Sequence, residues 1–251
     1  GIDSALWTRR AVRSLIEQRC GLWMAIRTVG EYLRRWGYTP KKPAERAYEQ
    51  DPDAVREWLE VTYPAIVQRA QQEGATIAWG DEAGLSSNEY GGRGYAPIGQ
   101  QSEVQPSERK RFRINYIASF TNQGSVRFML YLCNFTATVF IEFLKRLIQS
   151  RTGKLFWIGD RHPVHEKPEV QRWVERHSQQ IELFFLPAYS PQLNPVEYLN
   201  NSFKQGVHDK SPTRNLDQLK RRTLVELHKL QKLPTRIRSY FKHPSIAYAA
   251  S

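Results

Sequence analysis

The sequence predicts an α/β fold, a mixed sheet flanked by helices, preceded by an α-helical helix-turn-helix segment. Three observations predict it. From residue 75, apolar runs of strand length and helical repeats follow in the order strand, strand, strand, helix, strand, helix, strand, helix. Helices separate the later strands, so these run parallel and are covered on both faces. Ahead of them, two short amphipathic helices flank a Gly-containing turn. At 251 residues the chain is long enough to bury a sizeable core.

Thr8 is placed to cap a helix over RRAVRSLIEQR, with Ala11, Val12, Leu15 and Ile16 at helical spacing. CGLWM is a turn. The second helix, AIRTVGEYLRRWG, carries Val29, Leu33 and Trp36 on one face and ends at Gly37. YTPKKP (38–43) is a basic connector. DPDAVREWLEVTYPAIVQRAQQEG is either one helix kinked at Pro64 or two helices, ended by Gly74. ATIAWGDE is a short strand ending in two acids, and RGYAPIGQ is a loop. INYIASFT and SVRFMLYL are strands joined by a turn at Asn122-Gln123-Gly124. ATVFIEFLKRLIQS is a helix with Val139, Phe140, Phe143, Leu144 and Leu147 inward. KLFWIGD is a buried-type strand, PEVQRWVERHSQQ a helix, IELFFLP a strand and VEYLNNSFKQGV a helix. The division expected is 1–45 helix-turn-helix, 46–74 helical linker, 75–225 catalytic domain and 226–251 basic tail.

Net charge is +12, and it is unevenly spread. Residues 1–50 carry 10 Lys/Arg against 5 Asp/Glu, residues 51–100 carry 3 against 8, and residues 201–251 carry 11 against 3. Basic ends point to a polyanion partner, with ordinary solvated faces as the alternative. No apolar run approaches the roughly 20 residues that span a bilayer. No leader begins at Gly1, and Cys20 and Cys133 fit neither a metal-ligand spacing nor a disulfide framework. A reduced, cytoplasmic protein is expected.

Three acids share a position type. Asp81 falls just past the first strand, Asp160 ends KLFWIGD, and Glu197 opens the last helix of the α/β region. Ligands bind at the carboxyl ends of strands in open α/β sheets. Clustered carboxylates repel unless divalent cations sit between them, and such oxygen-rich sites suit Mg²⁺ or Mn²⁺. Two ions about 4 Å apart serve phosphoryl transfer. Glu197 follows Pro187, Pro191 and Pro195 within LPAYSPQLNPVE. The prolines restrict the backbone, Asn194 is placed to cap the helix and Pro195 suits its first turn. Glu197 thus either is aimed as a metal ligand or merely complements the helix dipole.

LPAYSPQLNPVE resembles the third-carboxylate motif of mariner-type (DDE) transposases and their bacterial insertion-sequence relatives. IAWGDEAG resembles their first-aspartate strand, RGYAPIGQ the loop after it, and LFWIGDRHPVH the second-aspartate strand with its downstream histidine. These ordered matches cover most of 75–205. ALWTRRAVRSLIEQ through LRRWGYTPKKP resembles the DNA-binding region that precedes this domain. The resemblance implies a ribonuclease-H-like catalytic domain. Arg161, Asn200 and Tyr95 stand where many relatives have Asn, Trp and Trp, and none of these changes removes a carboxylate. The family usually carries two helix-turn-helix units, so one is expected to precede this chain.

The resemblance implies that Asp81, Asp160 and Glu197 bind the metals, two per site, with Asp160 bridging. It implies cleavage of transposon ends and joining of the 3′-hydroxyl to target DNA, on double-stranded DNA, by a homodimer or larger assembly at the nucleoid. A nuclease without strand transfer and a non-catalytic DNA-binding protein are the alternatives. Glu82 should point away from Asp81 along a strand and reads as structural, as does His162. His165 either touches the scissile phosphate, supports a ligand, or is an ordinary hydrogen-bonded group. Arg27, Thr28, Arg34 and Arg35 are candidates for duplex contacts, with Lys41, Lys42, Arg93 and Lys204 for further DNA contacts. ERKRFR (108–113) either tracks DNA backbone or guards a strand edge. The C-terminal LKRRTLVELHKLQKLPTRIRSYFKHPSIAYAA either binds DNA or packs on a partner subunit.

Overall fold

The computed structural model describes residues 6–40, 49–87, 112–208 and 212–250. The chain forms two compact units, 1–46 and 47–251. In the first, α1 (Arg9–Cys20) is capped by Thr8, whose Oγ1 accepts from Ala11 N at 3.1 Å. Gly21 closes it with φ 66°, a left-handed conformation that glycine adopts without steric cost. α2 (Ile26–Arg35) follows. Ala11 and Val29 are buried, as their spacing requires. Trp36 differs from expectation. It lies just past α2, where the helical repeat no longer governs its direction, and it is exposed.

The second unit opens with α3 (Pro52–Glu57), a π turn (Trp58–Thr62) and α4 (Tyr63–Glu73). The sequence left open one kinked helix or two. The chain instead runs on through a wide turn in which Tyr63 N donates to Trp58 O. Pro64 has no N–H to donate to the preceding turn, and the extra residue accommodates its ring. The sheet contains β1 (Thr76–Ser86), β2 (Arg113–Phe120), β3 (Val126–Tyr131), β4 (Leu155–Gly159) and β5 (Ile181–Phe185), in the order β3-β2-β1-β4-β5. The β3-β2-β1 pairs are antiparallel and the β1-β4-β5 pairs parallel, so the sheet is mixed. The remaining helices are α5 (Ala137–Gln149), α6 (Pro168–Arg176), α7 (Val196–His208), α8 (Leu216–Gln231) and α9 (Pro234–Tyr240).

Side chains alternate across the strands and make two cores. Trp79, Leu85, Phe156 and Ile158 pack with α4, α7, α8 and α9. Ala78, Leu155 and Trp157 pack on the other face with α5 and α6. All five residues of β4 are buried, as a central parallel strand requires. The helices before and after the α/β region join the same packing. The helical linker contributes Trp58, Tyr63, Ile66 and Ala70 to the first core. The division at 225/226 falls inside α8, and Leu227, Leu230, Ile237, Phe241 and Ala249 are buried in that same core. Amphipathic helices bury their apolar stripe wherever a sheet face is uncovered.

Trp157 occupies space that two glycines leave. A Cβ on Gly80 would lie 2.2 Å from its indole nitrogen, and one on Gly159 2.2 Å from its six-membered ring. Gly80→Ala is therefore expected to destabilise the chain by about 3 kcal/mol, the upper range for overpacking. Urea unfolding reads this directly, and a loss under 0.5 kcal/mol (about the scatter of neutral surface changes) would refute the close fit.

Candidate active site

β1 and β4 pair only from Thr76↔Leu155 to Trp79↔Ile158, whereas β1 continues against β2 as far as Ser86↔Arg113. This corrects one expectation. Asp81 lies within β1 and not past its end, because β2 extends the strand. What ends before Asp81 is the pairing with β4. The two parallel strands part there, and an open cleft of about 670 Å³ forms at their carboxyl ends. Asp81, Glu82, Glu197 and Lys204 all line it.

Glu197 is placed by the loop before it. Leu186 N donates to Gly159 O at 2.9 Å, tying the loop to the end of β4. Gln50 Nε2 donates to Tyr189 O (2.9 Å) and Ser190 Oγ (3.1 Å), and Tyr248 OH donates to Leu193 O (2.7 Å). Tyr189 takes a positive φ of 53°, uncommon for a non-glycine residue. Asn194 Oδ1 accepts from Val196 N at 3.1 Å, capping α7 as its sequence position suggests. Val196 and Leu199 are fully buried, which fixes the rotation of the first turn.

Asp81 is held from the same helix. Asn200 Nδ2 donates to Asp81 Oδ2 at 3.2 Å, and Tyr116 OH donates to Asn200 Oδ1 at 2.8 Å. The tyrosine thereby sets which end of the amide faces the carboxylate. This relay is missed by reading the sequence, which flags Asn200 only as a departure from a motif. Burial pushes the Asp81 carboxyl well above the usual range, and the negative charges of Glu82, Asp160 and Glu197 push it further. Burial also raises Glu197, while nearby Lys204 opposes the shift.

Asp160 follows Gly159 and is not among the residues lining the cleft. It turns toward the histidine loop, with a side chain 48% exposed. Its Oδ1 accepts from His162 N at 3.2 Å and lies 3.4 Å from His165 Nδ1. His165 is fully buried among Phe140, Trp157, Phe135 and Phe185. Its Nδ1 lies 3.0 Å from the Asp160 carbonyl, the geometry of an Nδ1–H donating to that oxygen. Burial lowers its pKa, which favours this neutral form. Such burial removes His165 from the cleft surface and leaves it beneath Asp160.

Glu82 leaves the opposite face of β1 from Asp81, as strand alternation requires. With β4 ended, both faces of β1 open toward Asp160. Glu82, Asp160 and His165 offer ligand atoms within 4.8 Å of one another. Glu82 Oε2 and His165 Nε2 are 3.8 Å apart, and neither has a hydrogen-bond partner. Burial and the charge of Asp160 push the Glu82 carboxyl up to about 7. His162 also lines the cleft, 3.8 Å from Glu82. Carboxylates gathered this closely, with orphaned ligand atoms between Glu82 and His165, fit a hard divalent cation such as Mg²⁺ or Mn²⁺.

Two cations stand on the cleft wall. Lys204 lies on α7 beyond Glu197. Arg113, at the end of the ERKRFR run, donates from Nε to Asn115 Oδ1 at 3.0 Å and lies over Gly84, where a Cβ would come within 2.7 Å of its guanidinium. Arg113 pairs with Ser86 of β1, and the rest of the ERKRFR run, 108–111, lies outside the described residues. In the N-terminal unit Arg27, Arg34 and Arg35 are exposed on α2, Arg27 beside Glu31 at 3.3 Å, and Thr28 is half-buried. Lys41, Lys42, Arg93 and the RGYAPIGQ loop lie outside the described residues. No described helix is long and apolar enough to cross a membrane.

Residues 76–220 match the family described as DDE superfamily endonuclease, and residues 3–62 match winged helix-turn helix. No curated protein sequence matches the chain. Among solved structures, the mariner Mos1 paired end complex with Mg is similar at TM-score 0.63 and 16% identity, over 99% of this chain and 81% of that one. The Mos1 Strand Transfer Complex is similar at TM-score 0.62 and 18% identity, over 99% and 75%. The Mos1 mariner paired end complex with Mn is similar at TM-score 0.61 and 17% identity, over 94% and 75%. At such identities the likeness concerns the fold.

Proposed function

The chain belongs to the DDE superfamily endonuclease family, and on that premise we propose that it is a DNA transposase of the mariner type. It cleaves transposon ends and joins the freed 3′-hydroxyl to target DNA. The observation that carries this reading is that Asp81 feels the charges of both Asp160 and Glu197 where β1 and β4 part, with Lys204 and Arg113 on the wall of the cleft that Asp81 and Glu197 line. The similar structures are Mos1 transposase assemblies with paired ends, one with Mg and one with Mn. They support DNA ends as partners, a dimer or larger assembly, and a divalent metal.

In this reading Asp81, Asp160 and Glu197 would hold the divalent metal, two ions per site. When bound, Mg²⁺ or Mn²⁺ supplies Lewis-acid polarisation of the phosphodiester and favours deprotonation of the attacking hydroxyl or water. The protein's part is placement. Asn200 and Tyr116 orient Asp81, the Pro-rich loop fixes Glu197, and His165 holds the Asp160 backbone from below. Lys204 and Arg113 offset phosphate charge at the cleft wall. Hydrolysis exchanges a P–O bond to DNA for a P–O bond to water, and joining exchanges one ester for another, so no energy-supplying cofactor is needed. The exposed arginines Arg27, Arg34 and Arg35 on α2 meet duplex DNA, steering the chain to its ends in the bacterial nucleoid.

The test is incubation with Mg²⁺ or Mn²⁺ and duplex DNA carrying the element's own ends plus a target. Joined products are expected. Cleaved ends without joining would replace this reading with a nuclease, and DNA binding without cleavage would replace it with a binding protein.

A further inference from the structure

A second polar cavity lies at the other end of β1. It is about 210 Å³ and is built from the amino ends of β1 and β4, the β2–β3 turn and the last turn of α5. Thr76 and Ala78 line it, whereas Asp81 to Gly84 line the acidic cleft. Three residues of strand separate Ala78 from Asp81, roughly 10 Å. The two cavities have opposite chemistry. The second has no Asp or Glu in its lining and contains Arg127 and Arg151, with the hydroxyls of Ser119, Thr121, Ser125 and Ser150.

In the cavity the two guanidiniums have no counter-charge among the described residues. Among the described residues neither forms an ion pair with a carboxylate, although acids pair with Arg56, Arg69 and Arg146 elsewhere. Arg127 is satisfied by neutral acceptors, Ser150 Oγ at 3.2 Å and Val126 O at 3.1 Å. Arg151 is half-buried, and its Nε is buried with no hydrogen-bond partner. Burial and the charge of Arg127 both disfavour its protonated form. Ser119 is an independent sign. It is 2% exposed, and its Oγ has no partner. An orphaned buried hydroxyl and an orphaned guanidinium N–H beside two uncompensated cations call for an acceptor carrying negative charge.

We propose that this cavity is a binding site for a phosphate group. Arg151 and Arg127 supply the charge and Ser119 supplies a hydroxyl donor, while Ser150, whose hydroxyl donates to Leu147 O at 3.0 Å, holds Arg127 Nε at 3.2 Å. A tetrahedral oxyanion presents several acceptors to such a set, and the volume admits one with its water. A planar carboxylate would leave part of the set unmet. The group is either a backbone phosphodiester of bound DNA or free inorganic phosphate. The inference rests on this cavity alone and stands whether or not the acidic cleft cleaves DNA.

The full chain in metal-free buffer at constant ionic strength, titrated calorimetrically with inorganic phosphate, tests the site. Wild type should bind, Arg151→Gln should bind at least tenfold more weakly, and Ser119→Ala severalfold more weakly. Arg151→Lys should retain part of the affinity, because charge persists without the guanidinium fork. Ser119→Ala removes an unpartnered hydroxyl, so its thermal midpoint should hold or rise while phosphate binding falls, which a merely structural role would not produce. No binding by wild type, or equal binding by wild type and both loss variants, would overturn the proposal. Duplex DNA then identifies the source. A salt slope shallower by roughly 0.9 in Arg151→Gln marks one lost phosphodiester contact. An unchanged slope with lost phosphate binding marks a site for the free anion.

Discussion

Asp160→Asn is expected to reduce Mg²⁺-dependent strand cleavage by about a thousandfold or more, roughly 4 kcal/mol of transition-state stabilisation. The substitution removes charge and little else. Asp160 is 48% exposed, and its Oδ1 accepts from His162 N. An asparagine carbonyl oxygen can accept the same bond. The His165 contact runs to the backbone carbonyl, which the substitution leaves in place. The thermal midpoint should therefore stay within about 2 °C, a change of no more than about 1 kcal/mol for a chain of this size. DNA affinity in the absence of metal should also persist. Cleavage within tenfold of wild type would remove Asp160 from the chemistry.

Asp81→Asn should show the opposite coupling, with cleavage lost and the metal-free chain made more stable. Asp81 is 9% exposed, faces the charges of Glu82, Asp160 and Glu197, and is held by Asn200. Its ionised form is costly there, and asparagine keeps an acceptor for the Asn200 amide without the charge. A gain of about 1–2 kcal/mol at pH 7.5 is expected, from the usual cost of an ill-compensated buried polar group. The pH dependence has a definite sign. The folded pKa of Asp81 lies above its ordinary 3.8, and that of Glu82 rises from 4.5 to about 7. The folded chain then holds protons that the unfolded chain has released, so these groups lower stability as pH rises. Their penalty is absent below about pH 4 and, for Glu82, complete above about pH 7. Metal-free wild type should lose stability relative to Asp81→Asn across that range, and added Mg²⁺ should narrow the difference by offsetting the carboxylates. Comparing the two chains cancels groups that shift the other way, such as Glu73, which Lys154 and Arg69 hold below the usual value. A variant less stable than wild type at pH 7.5 would show that the carboxylate is compensated in the folded chain.

The site combines a function with a local instability. Four carboxylates, two on β1, one just past β4 and one on α7, lie close together beside an apolar core. The surrounding structure holds them in place through Trp157 between its glycines, the capped start of α7 and the C-terminal helices against the sheet. A metal-requiring site of this kind is preorganised by packing that touches none of the ions.

Much of this was written in the sequence. The order of the elements follows from local periodicity, and the Thr8 and Asn194 caps and the turns at Gly37, Gly74 and Gly124 follow from residue type. These are interactions within a few residues, which a linear reading captures. The three acids and their motif context were legible because an isolated carboxylate after an apolar strand is a local pattern. Only the tertiary structure decided where β1 ends, since β2 extends it beyond Asp81 through pairing with residues 27 to 35 positions away. The same holds for Glu82. Strand alternation correctly sends it to the other face, but the end of β4 leaves both faces open to Asp160. The Tyr116–Asn200–Asp81 relay, the burial of the C-terminal helices and the basic cavity around Arg151 all join residues distant in sequence. The sequence by itself determined which side chains carry charge and which turns are fixed. Which charges meet, and how far water is kept from them, depends on packing, because burial and Coulomb interaction act through space and not along the chain.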